Sequence, residues 1–313
     1  MSAAIEPRHA YPTAQAVADF IADRDNRGLS EYTVSYYKTH LPRFVVYANE
    51  HGLTDVTTIT TRDVRAYIHY VRNNGSNLPT VVADAGSVRT FMRWLAAEDE
   101  IDEAIAERIH VPVLRVPLIE PFSLDQVRAI LDTVAHLKRG AERNVAIVLV
   151  MVDTGARSGE IKSLRDEDVH PDRLKIFGKG SKWRWVPISE PTYQAIKAWQ
   201  AKRGPGAAWL FPTTAGNKMG RDLLRQMFKE WCRKAGVTGV RCTPHTMRHT
   251  TATEWIRAGG NLFELQKLLG HYDICMTRRY CSVSPEDVIN SHKAFGLVGR
   301  LAPPAELRPA VSE

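Results

Sequence analysis

Between residues 111 and 121 the chain reads V-P-V-L-R-V-P-L-I-E-P. Pro112, Pro117 and Pro121 each remove an amide donor and fix φ, so no continuous helix passes through this stretch. An extended linker is expected there. It splits the chain into a piece at 13–110 and a larger piece at 122–300, with tails at 1–12 and 301–313. The total of 313 residues exceeds one typical domain and fits about two.

The first piece reads as helical throughout. Val17, Phe20 and Ile21 recur at helical spacing between Thr13 and Arg27, and Gly28 follows as a stop. Ser30 is placed to cap a second helix that runs to His51, with Pro42 expected to kink it. Thr61 is placed to cap a third helix through Val71, and Pro79 to open a fourth ending near Ala97. Four helices on short connections predict a small bundle.

The second piece mixes elements. Ser123-Leu-Asp-Gln126 has the form of a capping box. Residues 144–153 form a strongly apolar helix, and another begins at 158–164. Residues 174–177 and 183–188 read as two strands around Gly178-Lys179-Gly180-Ser181. Helices are expected at 190–203, 222–235, 246–258, 262–269 and 285–294. The expected class is mainly α with a small β-sheet.

Charge is distributed unevenly. Residues 1–110 hold 11 Lys/Arg against 15 Asp/Glu, whereas residues 111–313 hold 31 against 20, giving +11 in the second region. A basic domain points to a polyanion partner whose binding weakens as salt rises. The longest apolar run, 145–152, is far below the roughly 18 residues needed to span a bilayer. The start of the chain has no hydrophobic signal core, so a cytoplasmic location is expected. Cys232, Cys242, Cys275 and Cys281 form no C-x-x-C pair, so free thiols rather than a zinc site or disulfides are expected.

Chemistry-bearing residues recur in short segments. In Thr154-Gly-Ala-Arg157-Ser-Gly-Glu160, one helix ends and another begins beside Arg157. Its planar fork suits two phosphate oxygens at a helix N-terminus. In Pro244-His245-Thr-Met-Arg248-His249, an imidazole and a guanidinium lie three apart on one helix, a proton carrier beside a charge clamp. Leu269-Gly-His271 is followed nine residues later by Tyr280, and Lys179 sits in the hairpin turn. Taken singly, each is more readily a surface arginine, a solvated face, a half-buried tyrosine or a solvated lysine.

Taken together and in order, T-G-A-R-S-G-E, G-K-G-S-K-W-R-W-V-P, H-T-M-R-H and L-L-G-H-Y-D-I-C-M-T-R-R-Y resemble the signature of the tyrosine recombinase or phage integrase family. The N-terminal L-S-E-Y-T-V-S-Y-Y is similar to the start of that family's core-binding domain. The resemblance implies an N-terminal helical, SAM-like core-binding bundle and a C-terminal α+β catalytic domain. It implies that Arg157 and Arg248 clamp the scissile phosphate, that Tyr280 is the nucleophile and that Lys179 protonates the leaving oxygen. His245 would be the general base, with His271 assisting by a hydrogen bond to phosphate and Glu160 bracing the site. No metal or nucleotide cofactor is implied. The implied partners are double-stranded recombination sites and further copies in a homotetramer or heterotetramer, with a helix near 284–295 docking on a neighbour. The chain's length, without an added arm-binding domain, leans toward a simple Xer-like or transposon-borne recombinase.

Other features bear on that expectation. The 1–110 region is acidic although the resemblance makes it a DNA clamp; Lys38, Arg43, Arg89 and Arg93 are its candidate DNA contacts. Their neighbours Tyr36, Tyr37, Phe91 and Trp94 could equally be core. Lys182 and Arg184 are further candidate DNA contacts on the hairpin. Cys275, Met276 and Cys281 flank Tyr280 without a chemical role, and packing is expected of them. Rival readings are a nuclease holding Mg²⁺ on Asp166-Glu167-Asp168, a type IB topoisomerase-like enzyme, and an inactive or architectural DNA-binding protein on the same fold.

Overall fold

A computed structural model describes residues 10–114, 119–178, 182–220, 222–271, 273–278 and 289. The chain divides into two compact units, Met1–Pro117 and Leu118–Glu313. Residues 111–114 and 119–121 form neither helix nor strand.

The first unit holds α1 (Thr13–Asn26), α2 (Glu31–Glu50), α3 (Thr61–Asn73), α4 (Leu78–Ala97) and the short α5 (Glu103–Glu107). Ser30 caps α2 by accepting from the Thr33 amide. Contrary to the expected cap at Thr61, Thr60 caps α3 in a reciprocal box with Asp63. α2 continues through Pro42 as one element. The short α5, not among the expected helices, is capped by Asp102 and buries Ala106.

The core of this unit is aromatic. Phe20 meets Phe91 edge-on at 5.6 Å, and Phe44 meets Tyr67 at 5.0 Å. Each ring buried this way contributes roughly 1.5–3 kcal/mol, with about 0.5–1.5 more from each edge-on pair. Phe91 and Trp94 are therefore core residues, and Tyr36 and Tyr37 are half-buried.

The second unit begins with α6 (Leu124–Ala135), capped by the expected Ser123–Gln126 box. α7 (Ala141–Thr154) follows, buried along Ala146, Ile147, Val148, Val150 and Met151 and packed by α6, α9 and α11. Then come α8 (Ser158–Ser163), the antiparallel strands β1 (Arg173–Gly178) and β2 (Lys182–Pro187), α9 (Glu190–Arg203), α10 (Leu223–Lys234), α11 (Pro244–Arg257), α12 (Leu262–Leu269) and α13 (Cys275–Arg278). In the hairpin, Leu174 pairs with Val186 and Ile176 with Arg184. Leu174, Ile176 and Val186 are buried, so alternate residues of both strands face the core. The expected helix at 285–294 lies outside the described residues, save position 289.

Candidate active site

The site starts where α7 stops. Gly155 adopts φ 57°, and its amide donates to the Met151 carbonyl at 3.0 Å. The Thr154 hydroxyl accepts from the Ala156 amide at 3.0 Å, locking the turn. The left-handed φ favours glycine, and a Cβ there would lie 2.8 Å from Leu269 Cδ2, so that branch would have to shift. The chain then leaves at Arg157, the residue that caps α8. Its amide donates to Glu160 Oε2 at 2.8 Å and its Nη1 to Oε1 at 3.0 Å.

α12 ends in the same place. Gly270 takes φ 65°, and the His271 amide folds back to the Gln266 carbonyl at 3.1 Å. Carbonyls in a last helical turn lack onward amide partners. Here three guanidinium groups supply donors to three successive carbonyls. Arg184 Nε reaches Leu268 at 3.4 Å, Arg248 Nη2 reaches Leu269 at 2.8 Å, and Arg157 Nη2 reaches Gly270 at 3.5 Å. These arginines come from β2, α11 and the turn before α8. Cations at a helix C-terminus are favoured by its partial negative charge.

Arg248 is buried, and its Nη1 also donates to the Gly155 carbonyl at 2.6 Å. Its Nη2 lies 2.9 Å from Nε2 of His271. A guanidinium can only donate, so Nε2 accepts and the ring proton sits on Nδ1. Nδ1 then donates to Thr277 Oγ1 at 2.8 Å. In this arrangement the Nε2 atom of His271 orients Arg248.

His245 stands in the first turn of α11, whose Thr243 cap accepts the Thr246 amide at 3.1 Å. It is three residues from Arg248, yet Arg248 is buried and His245 is exposed. His245 opens onto a cleft of about 250 Å³ shared with Ser158, Arg225, Arg241 and Thr243. An adjoining cleft of about 510 Å³ shares Arg225, Arg241 and Thr243 and adds Lys229. Basic side chains thus line the way to the residue that follows Arg157, with Asp222 3.8 Å from Arg225 among them.

Glu160 is the counter-charge. Burial pushes its carboxyl up, but hydrogen bonds and charge from Arg184, followed by those of Arg157, more than offset this. The net result lies below the ordinary carboxylate value. Arg184 grips both oxygens at 2.9 Å, and its side chain is only 16% exposed. It therefore faces inward, with its guanidinium engaged by Glu160. Lys182 is exposed. In the first unit, Lys38 and Arg93 are exposed and Arg89 is half-buried. Arg43 is held 2.8 Å from the buried Asp84, whose other oxygen contacts His40 Nδ1 at 2.6 Å. Lys179, Tyr280 and Cys281 lie outside the described residues, as does the side chain of Cys275.

The Phage integrase family model matches residues 121–287, and the model of that family's N-terminal SAM-like domain matches residues 20–99. The chain belongs to the phage integrase family. The tyrosine recombinase XerD of Mycobacterium tuberculosis is 31% identical over 281 residues, covering 82% of this chain and 89% of the relative. XerD of Oceanobacillus iheyensis is 28% identical, covering 90% of this chain and 97% of the relative. Two solved structures share the fold. The Tn1549 transposon integrase, in complex with a circular intermediate DNA, has a TM-score of 0.72 at 20% identity, covering 91% of this chain and 99% of that one. The XerH site-specific recombinase bound to its difH substrate has a TM-score of 0.68 at 18% identity, covering 90% and 84%.

For a phage integrase family member, sequence reasoning missed Thr277, Arg225 and Arg241. Thr277 is fully buried against His271, but nothing in its local sequence distinguishes it from other threonines. Arg225 and Arg241 come together only when α10 and α11 fold against each other. The carboxylates of the rival metal site are otherwise engaged. Asp166 pairs with Arg203 and accepts from Gln200 at 3.0 Å, while Asp168 accepts the Arg165 amide at 2.8 Å. No group of three potential metal ligands occurs among the described residues. None of the described helices is long and apolar enough to cross a membrane.

Proposed function

We propose that the protein is a site-specific DNA recombinase that cuts and rejoins DNA through a 3′-phosphotyrosyl bond to Tyr280. The scissile phosphate would sit against the arginine pair, with Arg157 and Arg248 balancing charge on its non-bridging oxygens. The Tyr280 oxygen would attack phosphorus as its proton passes to His245. The bond to the 5′-oxygen would break, and Lys179 would protonate that oxygen. In the reverse step, a 5′-hydroxyl from a partner strand attacks the phosphotyrosine and releases Tyr280. One phosphodiester is exchanged for another, so the bond energy is kept and no nucleotide need be spent.

The observation that carries this reading is the convergence at the end of α12. Arg157 and Arg248 hydrogen-bond to successive carbonyls there, His271 follows on the same turn, and His245 shares a helix with Arg248. The basic clefts beside His245 suit a DNA backbone. Four protomers, alike or of two kinds, would act on paired recombination sites in the cytoplasm, passing through a Holliday junction. The outcome would be integration, excision or resolution of a DNA element.

The test uses a DNA site recovered by selecting fragments that the protein binds, nicked near the cleavage position so that the product strand escapes. Wild type in EDTA should form a covalent protein–DNA adduct, and Tyr280→Phe should not. Binding without an adduct would favour an architectural DNA-binding protein on this fold. Relaxation of supercoiled plasmid without strand exchange would favour a topoisomerase.

A further inference from the structure

Arg184 sits on β2 opposite Ile176, on the strand face shared with buried Val186. Its guanidinium binds Glu160 through both Nη atoms at 2.9 Å, while Nε points to the Leu268 carbonyl at 3.4 Å. Gly270 packs so closely that a Cβ there would lie 2.9 Å from the guanidinium carbon. Glu160 in turn holds the amide and Nη1 of Arg157. One planar group therefore touches the hairpin, the turn that carries Arg157 and the helix end that leads into His271. A fork with fixed geometry transmits position well, because its donors cannot rearrange independently.

We propose that Arg184 is a positioning residue for strand cleavage, which sets Arg157 through Glu160 and sets the His271 turn through Leu268 and Gly270. The proposal rests on the recombinase reading above. It assigns Arg184 no contact with DNA. Its loss should leave DNA affinity unchanged and slow the chemical step, since displacements near 1 Å at a reacting centre cost on the order of 10²-fold.

Two measurements on the full chain test this, and one of them does not require activity. Hydrogen exchange on wild type, Arg184→Lys and Arg184→Ala reads the backbone at 156–161 and 268–271. Both segments should exchange faster in Arg184→Ala, with an intermediate effect in Arg184→Lys. Single-turnover adduct formation at saturating DNA should fall roughly 10- to 100-fold in Arg184→Ala and recover partly in Arg184→Lys. The DNA dissociation constant and its salt slope should match wild type. If Arg184→Ala does not fold, Arg184→Lys, which keeps the charge but not the fork, carries both measurements. Unchanged exchange at both segments would overturn the proposal. So would a salt slope reduced by one contact with an unchanged rate at saturation, the behaviour of a phosphate-binding residue. A wild type that forms no adduct would count against the recombinase reading, and the exchange measurement would still decide the role of Arg184.

Discussion

Arg248 Nη2 donates to Nε2 of His271 across 2.9 Å, and this one bond decides where the imidazole carries its proton. With Nε2 accepting, Nδ1 donates to Thr277, so the ring is neutral and fixed at both nitrogens. The buried guanidinium is thereby held in one orientation.

The first prediction concerns that bond. Nitrogen NMR of imidazole-labelled protein should show His271 protonated at Nδ1. His271→Gln retains an oxygen able to accept from Arg248, whereas His271→Ala retains none. Losing a hydrogen bond to a charged group costs about 1.5–3 kcal/mol. Single-turnover cleavage by the alanine variant should therefore fall roughly 10- to 100-fold, with the glutamine variant in between. An Nε2-protonated signal would contradict this orientation of Arg248.

The basic clefts give a second prediction, which separates binding from chemistry. Arg225 and Arg241 flank His245 but are not among the residues gathered at the end of α12. If they meet DNA phosphates, Arg225→Ala and Arg241→Ala should weaken binding about equally on cognate and unrelated DNA. Each should reduce the salt slope of log K by about 0.9. Cleavage at saturating DNA should remain near wild type. Fluorescence anisotropy across a salt series provides the measurement, and an unchanged slope would move these arginines off the DNA path.

The sequence made parts of this site legible and concealed others for physical reasons. Ser123 and Gln126 form their capping box because that contact is local, settled within one helical turn. Thr60 and Thr61 are adjacent and chemically alike, so only the backbone geometry assigns the cap to Thr60. α5 is too short to show a period. Arg157, Arg248 and His271 stand out by type and order, yet the hold of the two arginines on the end of α12 is a long-range fact. Arg184, a candidate DNA contact by its charge, turns inward to Glu160. It is two residues from buried Val186, and alternation along a strand puts both on one face. Glu160 lies within one turn of Arg157 and their bond is local, whereas its partner Arg184 comes from across the hairpin.

A third prediction follows from the carboxyl of Glu160, which the fold holds below the ordinary value of 4.5. A lowered folded value means that the native state prefers the charged form. Its stabilisation is fully present above about pH 4.5 and drains away as pH falls through that value toward the lower folded one. Glu160→Gln removes this dependence. At neutral pH the variant leaves two guanidinium groups without their counter-charge, at a cost of roughly 3 kcal/mol. Urea midpoints at pH 7 and pH 4 should therefore converge: wild type is well ahead at pH 7, and its margin over the variant shrinks at pH 4. A constant margin would show that Glu160 titrates at its ordinary value in the fold.

The final prediction concerns the two glycines that let the segments meet. Gly155 and Gly270 both adopt left-handed φ, 57° and 65°, where an L side chain costs about 1–2 kcal/mol. Their surroundings differ in kind. A methyl at Gly155 would strike Leu269 Cδ2 at 2.8 Å, an apolar branch that can shift within the core. A methyl at Gly270 would strike the Arg184 guanidinium at 2.9 Å, and that group is pinned on Glu160. Similar backbone strain should therefore produce different functional losses. Both alanine variants should melt lower, by amounts within a few degrees of each other. Gly270→Ala should lose more of its cleavage rate, because it displaces the group that holds Arg157 through Glu160. Calorimetry paired with single-turnover adduct assays compares them. Equal losses of rate would mean that strain alone, and not the displacement of Arg184, governs the site.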